Sequence, residues 1–272
     1  MQHIEITINT GDAILKDVLV GELSEIGFDG FEEVEDGLKA FATESSFDEI
    51  ELQLITNRHG VAYTKAAIPE QNWNALWESN FEPITVDDFV GVRAGFHDTI
   101  PGVEHEIVIT PKMSFGTGHH ATTFMMMQLM HGIDFKNQSV FDFGSGTGIL
   151  AILAEKLGAN NILAVDYDDW CIENATENVL ANNCSAITIL KADNANLGRA
   201  FDIVLANINK NIILDNMEAL AKSAVRNGKI LLSGLLETDE ADILAAAALQ
   251  GWSHLQTVKK NNWIAMQFTA KS

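Results

Sequence analysis

The stretch Val140-Phe-Asp-Phe-Gly-Ser-Gly-Thr-Gly-Ile-Leu150 decides which fold this chain can adopt. A short apolar strand runs into three glycines at alternate positions, Gly144, Gly146 and Gly148, and a helix rich in alanine and leucine follows at once. Glycine lets the backbone turn sharply and leaves no side chain between the turn and a ligand. The pattern therefore predicts a strand, a ligand-binding turn and a helix in direct succession.

A carboxylate follows the glycine turn at an informative distance. Asp166 ends the next predicted strand, residues 161–166, and stands 18 residues after Gly148. In an open parallel sheet this places Asp166 beside the glycine turn, where it can accept hydrogen bonds from both hydroxyls of a ribose. We therefore expect a cofactor that carries a nucleoside. A turn that needs glycine only for packing is the alternative.

The spacing of the glycines distinguishes between cofactors. Dinucleotide-binding folds prefer Gly-x-Gly-x-x-Gly, which turns a helix N-terminus towards a pyrophosphate, whereas this chain has Gly-x-Gly-x-Gly. Asp142 stands just ahead of the glycines, and no lysine or arginine lies between Lys136 and Lys156. A carboxylate at this place suits a cation better than a diphosphate. We therefore expect S-adenosylmethionine, which carries a sulfonium and an ammonium group, rather than NAD.

Composition excludes several classes of protein. With 272 residues, of which 47% are hydrophobic and 20% charged, the chain can bury a sizeable core in one large or two modest domains. It has no apolar run approaching 18 residues and no signal peptide pattern, and its cysteines, Cys171 and Cys184, lack metal-ligand spacing. We expect a cytoplasmic protein with free thiols, no membrane segment and no metal.

The net charge of −21 is concentrated in the first part of the chain. Residues 1–111 contain 22 acidic and five basic side chains, whereas residues 112–272 contain 16 and 12. An acidic surface attracts cationic partners and repels phosphate backbones, so we do not expect direct binding of nucleic acid. The charge also serves solubility, and composition alone does not choose between these roles.

The order of predicted elements divides the chain into two domains and a linker. Residues 1–67 are predicted as strand, helix, two strands, helix and strand, the order of a small ferredoxin-like α+β domain. Residues 68–80 are predicted as a linker helix with Pro69 in its first turn and with Trp73 and Trp77 on one face.

Residues 81–272 are predicted to alternate helices and strands in an α/β sheet. The last two strands, 254–258 and 263–269, have no helix between them, which favours an antiparallel edge. Seven strands with the last one reversed indicate the methyltransferase variant of the Rossmann-like, doubly wound sheet.

A polar segment follows the predicted strand 201–206, whose carboxyl end faces the same crevice as the glycine turn. Asn207 could present its amide oxygen, and the following backbone a carbonyl, to an incoming amine. Enzymes that methylate amines of bases or of glutamine often have Asn-Pro-Pro-Tyr here, but Ile208 and Asn209 replace the prolines and no tyrosine follows. We therefore do not expect a flat base as substrate. A strand end that merely caps the predicted helix 211–225 is the alternative.

A second glycine turn, Ser114-Phe-Gly-Thr-Gly-His-His-Ala-Thr-Thr123, precedes another predicted helix. Either threonine at its end, Thr122 or Thr123, could cap the helix or line the cofactor side. His119 and His120 are unsuited to metal binding, because adjacent side chains in a turn diverge and no third ligand is evident. One of them could act as a base or a hydrogen-bond donor, and for His119 a simple loop-filling role is favoured.

These segments resemble the bacterial methyltransferases of large-subunit ribosomal protein eleven. The resemblance covers essentially the whole chain, and its most specific part is the second glycine turn. It rests on the segments 113–123, 141–152, 164–168, 206–208 and 232–236. The family has Thr-His-Pro after the second glycine of the second turn, whereas this chain has His119-His120-Ala121, so the family histidine corresponds to His120 and the proline is missing.

The resemblance implies S-adenosylmethionine bound at Thr123, Gly144, Asp166 and Asn207, and the glycine spacing adds Gly146 and Gly148. Asn207 and His120 are the catalytic candidates, and no general base is assigned. The resemblance further implies that residues 1–67 hold the basic ribosomal protein while residues 81–272 methylate its lysines and terminal amine; we expect a monomer. Methylation of RNA or of a small molecule, or a non-catalytic S-adenosylmethionine-binding module, are the alternatives.

Overall fold

The computed structural model of the chain describes residues 3–34, 37–43, 46–68, 81–111 and 117–271. Contacts within the chain group it into two units, Met1–Leu76 and Trp77–Ser272. The linker helix predicted for residues 68–80, with both of its tryptophans, lies outside the described residues except for its first position.

The first unit combines an antiparallel sheet of four strands with two helices. Its elements are β1 (His3–Asn9), α1 (Ala13–Glu25), β2 (Phe28–Val34), β3 (Gly37–Thr43), α2 (Glu49–His59) and β4 (Tyr63–Ile68). The strands lie in the order β2-β3-β1-β4, and every neighbouring pair is antiparallel. Alternate residues of β1, namely Ile4, Ile6 and Ile8, are buried and pack in one cluster with Leu19 of α1 and Leu52 of α2. The observed order of elements is the predicted one.

A small sheet opens the second unit. Its strands are β5 (Ile84–Val86), β6 (Val90–Ala94) and β7 (His105–Ile109), in the order β5-β6-β7. The sequence predicts short strands near residues 89–92 and 105–109, which correspond to β6 and β7, but it does not predict β5. With three residues, β5 is too short for its periodicity to stand out.

The main sheet of the second unit has seven strands, as predicted. They are β8 (Ser139–Phe143), β9 (Asn161–Asp166), β10 (Ile187–Lys191), β11 (Phe201–Asn207), β12 (Ala224–Leu236), β13 (Ser253–Lys260) and β14 (Trp263–Thr269). The strands lie in the order β10-β9-β8-β11-β12-β14-β13. Pairing is parallel from β10 to β12, and β14 is antiparallel to both of its neighbours. The prediction that the last strand is reversed is therefore confirmed.

Helices cover both faces of this sheet. They are α3 (Ala121–His131), α4 (Ile149–Lys156), α5 (Asp169–Ala181), α6 (Lys210–Asp215), α7 (Met217–Lys222) and α8 (Glu240–Leu249), the last preceded by a 3₁₀ turn at Glu237–Asp239. One apolar cluster joins Val140 of β8 to α3 and α4, and a second joins Phe141 to α6, α7 and α8. Neighbouring residues of β8 thus face opposite layers, as the pleat of a strand requires. No helix among the described residues is long and apolar enough to span a bilayer.

The single helix predicted for residues 211–225 is wrong. The structure has two short helices, α6 and α7, which meet at Asn216, and Ala224 already belongs to β12. The side chain of Asn216 explains the break, since it donates to the Ile212 carbonyl at 3.0 Å and accepts from the Ala195 amide at 3.0 Å. An asparagine that bonds to nearby backbone competes with a continuous helix.

Three asparagines of α5 and its end join the small sheet to the glycine turn. Asn178 accepts from the Thr110 amide at 2.7 Å and donates to the Thr147 carbonyl at 2.9 Å. Asn174 donates to the Thr110 carbonyl at 3.2 Å, and Asn182 bonds both backbone groups of Val108. Their spacing of four residues puts them on one helix face. The backbone just past β7 is therefore tied to the turn that follows β8.

Candidate active site

The order of strands brings the predicted site residues to one edge of the sheet. Strand β8 lies between β9 and β11, so the glycine turn that follows it lies between Asp166, which ends β9, and Asn207, which ends β11. The carboxyl ends of parallel strands next to a glycine turn are where open α/β sheets bind nucleotides. The arrangement places a carboxylate and an amide on opposite sides of one crevice.

The glycine turn needs glycine for its backbone conformation. Gly144, Gly146 and Gly148 have φ angles of 75°, 53° and 77°, in the left-handed region that side chains disfavour. The amides of Gly144 and Ser145 both donate to the Val165 carbonyl at 2.9 Å, which pins the turn to the end of β9. Gly148 then forms the N-cap of α4. The turn is a cradle of backbone groups with few side chains in the way.

Asp166 binds the glycine turn as well as facing the crevice. One carboxylate oxygen accepts from the Gly146 amide at 2.9 Å, and the other accepts from the Asp168 amide at 3.1 Å. Each oxygen of an ionised carboxylate has room for a further donor, so a ribose could still bind there. The sequence predicts ribose binding for Asp166 but not its hydrogen bond with the Gly146 amide. That bond depends on how closely two loops approach each other.

Asp142 is a buried carboxylate beneath the glycine turn. It is 1% exposed, and neither oxygen forms a hydrogen bond of normal geometry with a described residue. Burial raises the pKa of Asp142 from 3.8 to about 7; the Ala151 amide in the first turn of α4 opposes this rise, and the charge of Asp166 adds to it. A cation in the crevice would favour the ionised form.

Asn207 presents a buried acceptor that no described residue uses. Its side-chain nitrogen donates to the Thr123 hydroxyl at 3.2 Å, and both side chains are buried. Its side-chain oxygen is buried and has no hydrogen-bond partner among the residues that the structure describes. An unsatisfied buried acceptor destabilises a fold by about 1–3 kcal/mol unless a ligand completes it. Thr123 therefore fixes Asn207 through its side-chain nitrogen and leaves the side-chain oxygen as the acceptor for a ligand.

The two histidines take different places. His120 is the N-cap of α3, and its Nδ1 contacts the Thr122 hydroxyl at 2.8 Å and accepts from the Thr122 amide at 3.4 Å. Its ring meets Trp263 edge-on with centroids 4.7 Å apart. His119 contacts the Glu82 carbonyl at 2.9 Å through Nε2. The cap and the Trp263 contact hold the start of α3 in a chain that lacks the proline of the family pattern.

Residues 112–116, which include the first three positions of the second glycine turn, lie outside the described residues. Within the described ranges, no group of three or more histidine, cysteine, aspartate or glutamate side chains could hold a metal ion. Cys171 and Cys184 do not form a disulfide bond.

The groups at this edge of the sheet fit S-adenosylmethionine. A glycine cradle accommodates close approach, Asp166 offers acceptors for ribose, and Asp142 is a carboxylate that a cation would complete. A pyrophosphate would instead meet the carboxylate of Asp142 without a compensating lysine or arginine in residues 137–155. The sheet with its reversed last strand and this crevice together define a class I, S-adenosylmethionine-dependent methyltransferase.

Comparisons with known proteins give the family within this class. A family profile described as ribosomal protein L11 methyltransferase (PrmA) matches residues 25–271. A protein named ribosomal protein L11 methyltransferase from Porphyromonas gingivalis is 40% identical over 276 residues, which cover 98% of this chain and 94% of the relative. One of the same name from Phocaeicola vulgatus is 38% identical over 282 residues and covers 100% of both chains. The chain belongs to the ribosomal protein L11 methyltransferase family.

A solved structure supports the same assignment. The crystal structure of ribosomal protein L11 methylase from Lactobacillus delbrueckii subsp. bulgaricus matches with a TM-score of 0.66 and 28% identity, covering 71% of this chain and 100% of that chain. The predictions of the family, of the methyltransferase sheet and of S-adenosylmethionine as cofactor are confirmed.

Replacing Asp166 tests its role in cofactor binding. Asp166→Ala should weaken the affinity for S-adenosylmethionine by about 1–3 kcal/mol, because two ribose hydroxyls lose a charged acceptor and the Gly146 amide loses its partner. Calorimetric titration of the folded variant measures this. Asp169→Ala, which removes the exposed carboxylate that pairs with Lys191, is the control and should leave affinity within about twofold. Unchanged affinity of Asp166→Ala would exclude the assignment.

The raised pKa of Asp142 predicts a pH dependence with a definite sign. Without ligand, the folded protein keeps a proton that the unfolded chain loses above pH 3.8, so this group lowers stability as the pH rises towards 7. A bound cation favours the ionised form, so cofactor affinity should rise as the pH passes through about 7.

Calorimetry at about pH 6 and about pH 8 on the wild type and on Asp142→Asn measures this effect. The cofactor carries an α-amino group, with a reference pKa of about 7.7–8.0, which contributes equally to both proteins. The difference between the two proteins therefore isolates Asp142. An identical pH dependence in the wild type and the variant would contradict the expectation.

Proposed function

We propose that this chain transfers methyl groups from S-adenosylmethionine to lysine side chains and the N-terminal amine of large-subunit ribosomal protein L11. The names of its relatives support the substrate. The observation that carries the proposed chemistry is the buried side-chain oxygen of Asn207, which has no partner among the described residues. It lies beside the glycine turn and is suited to accept a hydrogen bond from an amine.

The reaction would be an in-line displacement by a neutral amine. When bound, the cofactor supplies a methyl group on a positively charged sulfur. The glycine turn and Asp166 would hold its nucleoside, and Asp142 would balance its positive charge. Asn207 and the carbonyl of Ile208 would accept the two N–H groups of the amine, so that the nitrogen lone pair points towards the turn. Holding reactants in such alignment is worth effective molarities of about 10⁵ M or more.

A lysine must first lose a proton from an ammonium group whose reference pKa is about 10.4. Exclusion of water lowers the pKa of an amine, because it disfavours the charged form. Asn207 and Thr123 are 8% and 0% exposed, so the proposed acceptor site is poorly hydrated. The chain would therefore promote the neutral amine by burial.

His120 is the second catalytic candidate. Its Nδ1 accepts from the Thr122 amide at 3.4 Å and lies 2.8 Å from the Thr122 hydroxyl. Because the attacking nitrogen must keep its lone pair for the methyl group, we propose that His120 orients the site and is neither a general base nor a donor to the amine. As the N-cap of α3 it fixes the start of the helix that carries Thr123, whose hydroxyl accepts from the Asn207 side chain.

The first unit is the proposed substrate-recognition domain. Its order of elements and its antiparallel order β2-β3-β1-β4 support a ferredoxin-like fold for residues 1–67, with residues 68–80 as linker and 81–272 as the methyltransferase domain. The acidic excess of residues 1–111 supports docking of a basic protein rather than of nucleic acid. We propose a cytoplasmic, monomeric enzyme.

A methylation assay tests the proposed function. The full chain, S-adenosylmethionine and purified ribosomal protein L11 should give mass increments of one methyl group or more on amines. Asn207→Ala should lower kcat by about 10- to 100-fold, because the amine loses an acceptor in a poorly hydrated site. Asn209→Ala, at an exposed position two residues further on, is the control and should keep kcat within about twofold. Labelling of ribosomal RNA or of small amines instead of the protein would contradict the proposal.

Charge neutralisation tests the docking role of the first unit. The triple variant Glu25→Gln, Glu32→Gln and Glu51→Gln removes three exposed carboxylates of that unit. The KM for the ribosomal protein should rise about three- to tenfold at low salt, with kcat unchanged, because electrostatic attraction speeds encounter.

The matched control removes three exposed carboxylates of the second unit that lie beyond residue 111, in Asp134→Asn, Glu173→Gln and Asp215→Asn. If the two triple variants have the same KM and the same salt dependence, the acidic first unit serves solubility and not docking.

A further inference from the structure

Ile208 lies between two glycines that belong to different elements. Gly144, in the turn after β8, has φ 75°, and a Cβ atom built on it would lie 2.2 Å from Cγ2 of Ile208. Gly234, within β12, has φ 82°, and a Cβ built on it would lie 2.2 Å from the Ile208 carbonyl oxygen and 2.7 Å from its carbonyl carbon. Non-bonded carbon atoms prefer separations of about 3.5–4.0 Å. Residue 208 can therefore occupy its place only because both neighbours lack a side chain.

An irregularity in β12 lies at Gly234, next to the backbone of Ile208. The pairing of β12 with β14 shifts register between Leu232 and Leu235, which is where Ser233 and Gly234 lie. The Ile208 amide donates to the Ser233 carbonyl at 3.1 Å, and the Ser233 hydroxyl donates to the Ile264 carbonyl at 2.8 Å. Bulges of this kind commonly re-aim groups next to active sites. A proline at position 208 could not make the bond to Ser233, since it has no amide hydrogen.

The side chain of Ile208 faces Gly144, on the opposite side from Gly234. Its Cβ is branched, so rotation about χ1 is restricted and Cγ2 cannot easily move away from Gly144. If Cγ2 were removed, the nearest remaining atom would be Cβ, 3.6 Å from the built Cβ of Gly144, which is an ordinary contact. A side chain at position 144 would therefore meet the end of β11 chiefly through one methyl group of Ile208.

We propose that Ile208 is a positioning residue that acts as a wedge between Gly144 and Gly234 and sets the distance from the glycine turn to the amine acceptors. This inference rests on the proposed function, because Asn207 and the Ile208 carbonyl are the acceptors that it places. The wedge keeps the glycine turn, which would hold the cofactor, at a fixed distance from Asn207 and the Ile208 carbonyl, which would hold the amine. Loss of the Cγ2 methyl group would let them shift relative to each other and would misalign the amine.

The wedge predicts a loss of turnover without loss of cofactor binding. Ile208→Ala should lower kcat for ribosomal protein L11 about tenfold, while calorimetric affinity for S-adenosylmethionine stays within about twofold. Ile208→Val keeps the branch that contacts Gly144 and should lower kcat less than threefold. A kcat of Ile208→Ala equal to that of the wild type, or of Ile208→Val as low as that of Ile208→Ala, would overturn the proposal.

A double-mutant cycle tests the contact itself without the methylation assay. Gly144→Ala should lower cofactor affinity at least tenfold, because its side chain meets Cγ2 of Ile208 and its φ is unfavourable. Combining it with Ile208→Ala removes the clash, so the double variant should bind S-adenosylmethionine at least fivefold more tightly than Gly144→Ala. Thermal unfolding of each variant, followed by circular dichroism, should show the same partial recovery of Tm.

Gly148→Ala is the matched control, since Gly148 has nearly the same φ but its built Cβ meets Cβ of Ala175 at 3.2 Å. Ile208→Ala should not rescue this variant. Additive effects of Gly144→Ala and Ile208→Ala on both affinity and Tm, or equal rescue of Gly148→Ala, would overturn the wedge. If the wild type fails to methylate the ribosomal protein, the proposed function fails, but the cycle still decides whether the wedge exists.

Discussion

The rest of the site depends on how the glycine turn is held against the end of β9. Two amides of the turn donate to the Val165 carbonyl, and a third donates to the carboxylate of Asp166. These bonds use backbone donors that a left-handed turn would otherwise leave unpaired. Because Asp166 takes part, the group that would hold the ribose also shapes the cradle. A substitution at the end of β9 should therefore also alter the conformation of the turn after β8.

Around this anchor the protein leaves polar groups incompletely satisfied. Asp142 and the side-chain oxygen of Asn207 are both buried, and neither has a well-formed hydrogen bond to a described residue. Such groups lower stability, and proteins keep them where a ligand completes them. One of the two faces a cationic cofactor in the proposed function and the other faces an amine. In that proposal, the two unsatisfied groups would each bind one of the two substrates of the transfer reaction.

The sequence predicted the elements that carry strong local signals. The sequence directly predicted the glycine run, the carboxylate of Asp166 and the hairpin strands β13 and β14. These signals are spacings and periodicities within one segment, so they do not depend on contacts with other segments. The break at Asn216 could not, since its side chain bonds to the Ala195 amide, 21 residues away in the chain. The strand β5 was missed because three residues hold no period.

The sequence by itself determined the class of sheet, the cofactor and the residues at the strand ends, because alternating strands and helices with a glycine turn allow few topologies. Only the tertiary structure decided how those residues meet. The bond from Asp166 to Gly146 and the place of Ile208 between Gly144 and Gly234 depend on loops from three strands approaching within van der Waals distance. Sequence patterns carry the direction of a side chain along its own element but not the distance to atoms of another, and that distance is set by packing of the whole sheet.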